Sequence, residues 1–313
     1  MELSVVIPTY NRIEMLEQVL VSLDAQQGAP EFEVVVIDDG SKDDTANRVG
    51  SWLADDRFDF PLTFRSQQNG GPGRARNHGV TLATGRIVLF IGDDTVPAPD
   101  FLARHYATHS EAGYDPWLAC LGYTGWPRDE SVTPFMDFIN EFGLQFGYSL
   151  IEHGADVPFQ FFYTSNISLS REVIATHPFD TTFPAAAWED IELAYRLEKK
   201  GLRIRYDARA VTTHYHPMTV ASFSRRQFTV GRSGAIFVEK HPELRHFLGV
   251  EQLAQEGSGG AVERALLEVA ARAGEKFRVA ARPRVFERLM RIHYLKGLEE
   301  GLRSSASGGA AVG

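Results

Sequence analysis

The chain has 313 residues, 43% hydrophobic and 23% charged. That size and mixture give one large α/β domain or two smaller ones, with no need of a disulfide or structural metal to hold a core. The single cysteine, Cys120, excludes an intramolecular disulfide and any multi-cysteine zinc site; it reads as a small buried apolar residue in a reducing compartment. A formal net charge of −9 argues against general nucleic-acid binding. No apolar run approaches the ~18 residues a membrane-spanning helix requires. The first such run, Leu3 to Pro8, is too short for a signal-peptide core, so a cytoplasmic protein is expected. Residues 261–303 hold ten Lys/Arg against six Asp/Glu, a local +4 that leaves −13 on the rest. Such a stretch suits a solvated helical face, or peripheral contact with an anionic inner-membrane surface or a phosphate-bearing acceptor.

Strand-like runs at Leu3–Pro8, Phe32–Ile37, Leu62–Ser66, Ile87–Ile91 and Trp117–Gly122 are short and rich in Val, Ile, Leu or Phe, as befits strands of a parallel sheet buried on both faces. Helical patterns lie between them, one carrying the stripe Ile13, Leu16, Val19, Leu20 and Leu23. The alternation predicts an α/β fold with an open, doubly wound, mostly parallel sheet over residues 1–250. That span divides into a first half over about 1–125 and a second over about 126–250. The aromatic-rich segment 128–165 should be mostly core, with some rings free to stack on an acceptor sugar. A helix from Trp188 to a stop at Gly201 and a strand through Ile204 and Val211 follow. Glu256 to Gly260 reads as a linker. Val262, Leu266 and Val269 mark one helix beyond it, and Pro283, with Phe286, Leu289 and Leu295, opens a second. Residues 261–303 form this helical extension, and 304–313 are expected to be an unstructured tail.

Ligands of an open α/β sheet collect beyond the carboxyl ends of its strands. Thr9-Tyr10-Asn11-Arg12, Asp38-Asp39-Gly40-Ser41 and Gly92-Asp93-Asp94-Thr95 stand there. Asp93 and Asp94 follow a buried apolar strand, so their charges emerge where sheet meets solvent; hard oxygens there suit Mg²⁺ or Mn²⁺ shared with a diphosphate, and equally suit a helix-capping turn. Asp38 and Asp39 suit either a turn or a hydrogen bond to a nucleobase or ribose. Gly70-Gly71-Pro72-Gly73 before Arg74 and Arg76 offers amides and guanidinium groups to phosphate. It lacks both the P-loop and the Gly-x-Gly-x-x-Gly pattern. Glu189 and Asp190 open a helix, where carboxylates either complement its dipole or serve as a general base. His214 and His216, alternating at a strand end, are expected to point to opposite faces, so that at most one joins a site.

The series Val5-Val6-Ile7-Pro8-Thr9-Tyr10-Asn11, Val36-Ile37-Asp38-Asp39-Gly40-Ser41, Gly70-Gly71-Pro72-Gly73-Arg74-Ala75-Arg76-Asn77, Asp93-Asp94, Trp188-Glu189-Asp190 and His214 resembles glycosyltransferase family 2 over roughly residues 1 to 240. The resemblance implies a GT-A fold, with a nucleotide-binding half over about 1–125 and an acceptor half over about 126–250, and sugar transfer from a nucleoside diphosphate to an acceptor hydroxyl with inversion. It further implies that Pro8, Thr9, Asn11, Asp39, Arg76 and Asp93 serve the nucleotide, and that Asp94 and His214 serve a divalent Mn²⁺ or Mg²⁺. Asp190 would be the general base, with Glu189 beside it. Gly92 stands where many members carry the first acid of Asp-x-Asp, which loosens the inference of strict metal dependence. Arg225, Arg226 and Arg232 are candidates for a lid over the diphosphate. A UDP- or dTDP-sugar is the expected donor; the acceptor is a glycan, a lipid-linked molecule or a small molecule. The rival readings are a sugar-phosphate nucleotidyltransferase, which would release pyrophosphate, and a catalytically silent nucleotide-sugar-binding partner in an envelope-assembly complex.

Overall fold

The computed structural model describes residues 1–129, 131–141, 143–184, 187–276 and 283–309. In chain order its elements begin β1 (Leu3–Thr9), α1 (Ile13–Asp24), β2 (Phe32–Asp38), α2 (Thr45–Ala54), β3 (Leu62–Ser66), α3 (Pro72–Leu82), β4 (Ile87–Ile91), β5 (Thr95–Pro97), α4 (Phe101–Glu111) and β6 (Leu118–Gly125). They continue with α5 (Pro134–Glu141), β7 (Asp156–Val157), β8 (Asn166–Ser170), α6 (Arg171–Thr176), α7 (Glu189–Glu198) and β9 (Arg203–His214). Four helices close the chain: α8 (Val220–Lys240), α9 (Val250–Glu256), α10 (Ala261–Lys276) and α11 (Pro283–Gly309).

Residues 1–127, 140–182 and 189–216 form one compact unit. Among the described residues its nine strands make a single sheet, ordered β3-β2-β1-β4-β8-β6-β9-β5, with β7 on β9. The expected strands β1 to β4 are parallel neighbours; β1, β2 and β4 carry apolar runs that only a sheet covered on both faces can bury, while β3 at the edge is partly exposed. Along β1, Val5 and Ile7 join the cluster containing Leu16, Leu20 and Leu23 of α1, while Val6 joins Ala75 and Val80 of α3 on the other face. Helix α3 lies so close to β1 that a Cβ on Gly79 would stand 2.4 Å from Val6 Cγ1. The far half of the sheet is mixed. Strand β8, which the sequence did not signal, runs antiparallel to both β4 and β6.

A buried polar chain sets the course of β9. The β6–β9 register shifts between Gly122 and Tyr123, and Asn166 fills the irregularity, its amide donating to the carbonyls of Tyr123 (3.0 Å) and Ala210 (2.9 Å). Its Oδ1 must therefore accept from His105 Nε2 at 2.8 Å. His105 Nδ1 is then left to accept from the Ser168 hydroxyl, whose oxygen accepts in turn from His109 Nε2, each at 2.8 Å. Burial disfavours the charged form of both rings, and this pattern of donors suits two neutral imidazoles.

Residues 128–139, 183–188 and 217–313 form a second unit. Helices α8 and α11 meet backbone to backbone: a Cβ on Gly231 would stand 2.0 Å from the Tyr294 carbonyl oxygen, and one on Gly297 equally close to that of Phe228. Phe286, Leu289 and Leu295 of α11 are buried. Helix α11 runs to Gly309, into the range expected as tail; residues 310–313 lie outside those described. Helix α10 forms as expected but turns its apolar stripe outward. Val262, Leu266 and Val269 are 75%, 67% and 70% exposed, while Glu263 binds Arg288 at 2.8 Å and Glu268 approaches His293 at 3.4 Å. Within the described residues, no helix is long and apolar enough to cross a membrane.

The neutral histidine pair makes a stability prediction. Burial, opposed by the Asn166 hydrogen bond, brings His105 down to about 4; burial and neighbouring His105 bring His109 down to about 3. Unfolded histidine titrates near ~6.5, so below that pH the unfolded chain binds more protons than the folded one. Stability is therefore full above ~6.5 and is lost as pH falls toward the folded values. Urea midpoints measured from pH 7 to 5, above the main carboxylate range, should fall steadily, and His109→Gln should flatten that slope.

Candidate active site at the carboxyl edge of the sheet

The site starts from a problem of charge. Strand β4 is buried throughout, yet it delivers Asp93 and Asp94 side by side at its end, both largely buried. Their partners come from three other segments. Thr9, at the end of β1, donates its hydroxyl to Asp93 Oδ2 at 2.8 Å, and the Tyr10 amide approaches the same oxygen at 3.4 Å. Arg12 sets Nη1 against Asp93 Oδ1 (3.2 Å) and against Asp94 Oδ2. From β9, His214 Nε2 comes to 3.5 Å of Asp94 Oδ2, and just beyond the strand His216 Nδ1 comes to 3.3 Å of that oxygen. Burial and then the adjacent Asp94 charge push Asp93 upward, with Arg12 and Thr9 opposing. Against its own burial, Asp94 is held well below the usual carboxylate range by His214 and by the Arg12 guanidinium.

Both histidines thus reach Asp94, and the expectation that they diverge fails. Residues two apart in extended chain share a face, and the strand ends at His214 before the chain carries His216 to the same oxygen. The Trp126 ring lies 5.0 Å from that of His214 and nearly parallel to it, and His216 stacks on His214 at 5.6 Å. The Nδ1 of His214 is buried without a hydrogen-bond partner. One oxygen and two nitrogens, from Asp94, His214 and His216, lie within 4.8 Å of one another. This donor set fits a divalent cation.

Other expected site residues have structural partners. Asp39 is saturated by Gln67 Nε2 (2.8 Å) and the amides of Gly70 (3.0 Å) and Gly71 (2.8 Å). The glycine-loop amides read as phosphate donors thus face a carboxylate of the protein. Gly71 adopts φ +86°, which glycine tolerates without strain. Asn11 accepts from the Lys42 amide at 2.6 Å and donates its own amide to Ser41 Oγ at 2.8 Å, binding the loop after β1 to the loop after β2. Pro8, last but one in β1, pairs in register with Ile37. Arg76 is turned inward, donating to Glu189 Oε1 at 2.9 Å over the Phe179 ring. Burial and then Asp190 raise the Glu189 carboxyl, with Arg76 opposing. Asp190 is half-buried; its Oδ1 accepts from the Ile191 amide at 2.9 Å, and its Oδ2 approaches the Thr164 hydroxyl at 3.4 Å. In the second unit, Arg225, Arg226 and Arg232 lie on continuous helix α8 rather than a loop, and Arg232 faces Glu300 at 3.6 Å. Arg12 and Trp126 had no expected role, and His216 stood only as the alternative to His214. Arg12 stands inside the quoted motif, but nothing in its spacing points to β4.

The model of glycosyl transferase family 2 matches residues 4–176. The chain belongs to that family. The glycosyltransferase YfnE of Bacillus subtilis, itself uncharacterised, is 30% identical over 71% of this chain and 67% of its own length. A validoxylamine A glucosyltransferase of Streptomyces hygroscopicus subsp. limoneus is 31% identical over 77% of this chain, which spans only 57% of that enzyme. In fold, the protein is similar to the mannosyltransferase PcManGT of Pyrobaculum calidifontis, solved with GDP-Man and Mn²⁺. The TM-score is 0.64 at 22% identity, over 97% of this chain and 87% of that one. TarS of S. aureus in complex with UDP gives a TM-score of 0.55 at 19% identity, over 98% of this chain and 92% of that one. The protein is therefore a glycosyltransferase.

Arg76 and Glu189 each keep one buried polar atom unpartnered, Nε and Oε2, so this family member holds an ion pair poorly compensated beyond itself. Glu189→Ala should cost ~3–5 kcal/mol of unfolding free energy by stranding the guanidinium, whereas replacing both partners by apolar residues should cost much less. Denaturant titration of the two single variants and the double variant checks this.

Proposed function

We propose that the protein is an inverting, metal-assisted glycosyltransferase moving a sugar from a nucleoside-diphosphate sugar to an acceptor hydroxyl. The convergence of Asp94, His214 and His216 on one point at the sheet edge carries this reading. When bound there, a divalent ion neutralises charge on the departing diphosphate. Two imidazoles beside one carboxylate favour Mn²⁺ over Mg²⁺, which prefers oxygen throughout its shell. Asp93, held by Thr9 and Arg12, stands ready for the ribose. The loop ordered by Asp39, with Pro8 and Asn11, lines the nucleotide pocket in this reading.

Asp190 receives the acceptor proton as the acceptor oxygen bonds to the anomeric carbon and the bond to diphosphate breaks. This single displacement inverts the centre and requires no protein nucleophile. Arg76 and Glu189 act through position, joining α3 to the start of α7. A uridine donor accords with the UDP complex of the S. aureus neighbour, a deoxythymidine donor rests on the family resemblance, and the GDP-Man complex of the other neighbour makes guanosine the comparison to run. Nucleotidyl transfer is disfavoured by family membership and by the lack of a basic, glycine-rich signature after β1. The outward apolar face of α10 supports a second reading, peripheral attachment to a cytoplasmic membrane surface.

Asp190→Asn should bind donor within a few-fold of the parent yet lose transfer by at least ~10²-fold. Melting temperature, donor affinity and rate measured on one preparation decide the point, and near-normal turnover in a folded variant removes Asp190 as base. For the membrane reading, flotation with anionic vesicles should recover the protein and Leu266→Glu should abolish recovery. Equal absence from anionic and neutral vesicles would reject it.

A further inference from the structure

We infer that Arg12 is a built-in rival of the divalent cation: its guanidinium and the metal compete for the same two atoms, Asp94 Oδ2 and His216 Nδ1. The inference rests on the metal centre proposed above and adds a residue to it that sets how readily the cation enters.

The argument begins with donors and acceptors. Arginine only donates, so the 3.2 Å contact between Arg12 Nη2 and His216 Nδ1 makes that nitrogen an acceptor. The lone pair it offers Arg12 is the one it would offer a metal. Asp94 Oδ2, 3.3 Å from the same nitrogen, is likewise directed at the guanidinium through Nη1. Two acceptors this close without a proton between them are held together by a cation, and here the cation is Arg12. A rigid, planar guanidinium can bridge the pair while Nη1 also reaches Asp93 Oδ1 at 3.2 Å. A divalent ion on Asp94 Oδ2 and His216 Nδ1 would lie within a few ångströms of that fixed positive charge, where repulsion is steep in a partly buried site. The two cations therefore exclude each other.

The backbone at this turn is pinned, because Asn11 is tied to Lys42 and Ser41. The Arg12 side chain itself is 37% exposed, so it has a way out toward solvent. Withdrawal leaves a guanidinium in need of an anion, and an incoming diphosphate supplies one. Metal alone then binds weakly, and metal with diphosphate binds cooperatively. Arg12 is on this account a positioning residue that couples the two ligands.

Mn²⁺ binding to the full chain, followed by the paramagnetic resonance of free Mn²⁺ with and without inorganic pyrophosphate, tests the idea without reference to turnover. Arg12→Ala should bind Mn²⁺ alone at least ~10-fold more tightly than the parent. Arg12→Lys, which keeps the charge, should stay near the parent, and the gain from pyrophosphate should shrink in Arg12→Ala. If Arg12→Ala does not fold, Arg12→Gln removes the charge while keeping a donor. A folded neutral variant with equal or weaker Mn²⁺ affinity, beside a parent whose binding is lost in Asp94→Asn, overturns the rivalry and leaves the metal centre standing. No Mn²⁺ binding by parent or neutral variant, or full binding by Asp94→Asn, overturns the metal centre and the rivalry with it.

Discussion

Two adjacent aspartates at the end of a buried strand cannot be left uncompensated, and most of the first unit's irregular chain is arranged to meet that demand. Asp93 takes a hydroxyl from Thr9 and an N–H from the turn that follows it; His214 approaches Asp94; Arg12 bridges both carboxylates. Desolvation of a carboxylate costs several kcal/mol unless it is repaid by pairing, so each partner fixes the path of the segment bearing it. The loop after β1 folds over β4 for this reason. The tail of β9 passes the same point because Asn166 first shapes the irregularity at Ala210, and buried histidines fix Asn166 in turn.

Much the same economy operates at the neighbouring loops. Asp39 spends its carboxylate on ordering the glycine turn before α3 rather than standing free. Arg76 and Glu189 use each other, joining α3 to the helix that begins with Asp190. Residues that a linear reading assigns to ligand are thus engaged in holding other residues where ligand would meet them. A charged side chain at a sheet edge is costly to leave loose, and a prearranged site loses less order when it binds.

The second unit follows another rule. Helices α8 and α11 approach through glycines, which trade side-chain volume for backbone contact. Helix α10 departs from ordinary amphipathic packing: Glu263 and Glu268 face α11, and Val262, Leu266 and Val269 face outward. The apolar periodicity of Val262, Leu266 and Val269 declares a helix correctly, but periodicity has no sign. Which side turns inward depends on the partner, and here Arg288 and His293 of α11 are partners for acids.

The sequence by itself determined the parallel core, the ends of its strands and the family, because buried parallel strands demand unbroken apolar runs and the motif acids must follow them. It also marked Thr9, Asp93, Asp94 and His214 as neighbours in function. The tertiary structure alone decided that β8 inserts antiparallel, that the glycine-loop amides serve Asp39, and that His105 and His109 are buried uncharged. It alone joined Arg12 to Asp94 and His216. These pairings span 82 and 204 positions of chain. Local propensity and periodicity act over a few residues, whereas hydrogen bonds and charge compensation act through space once the sheet has brought distant loops to a common edge.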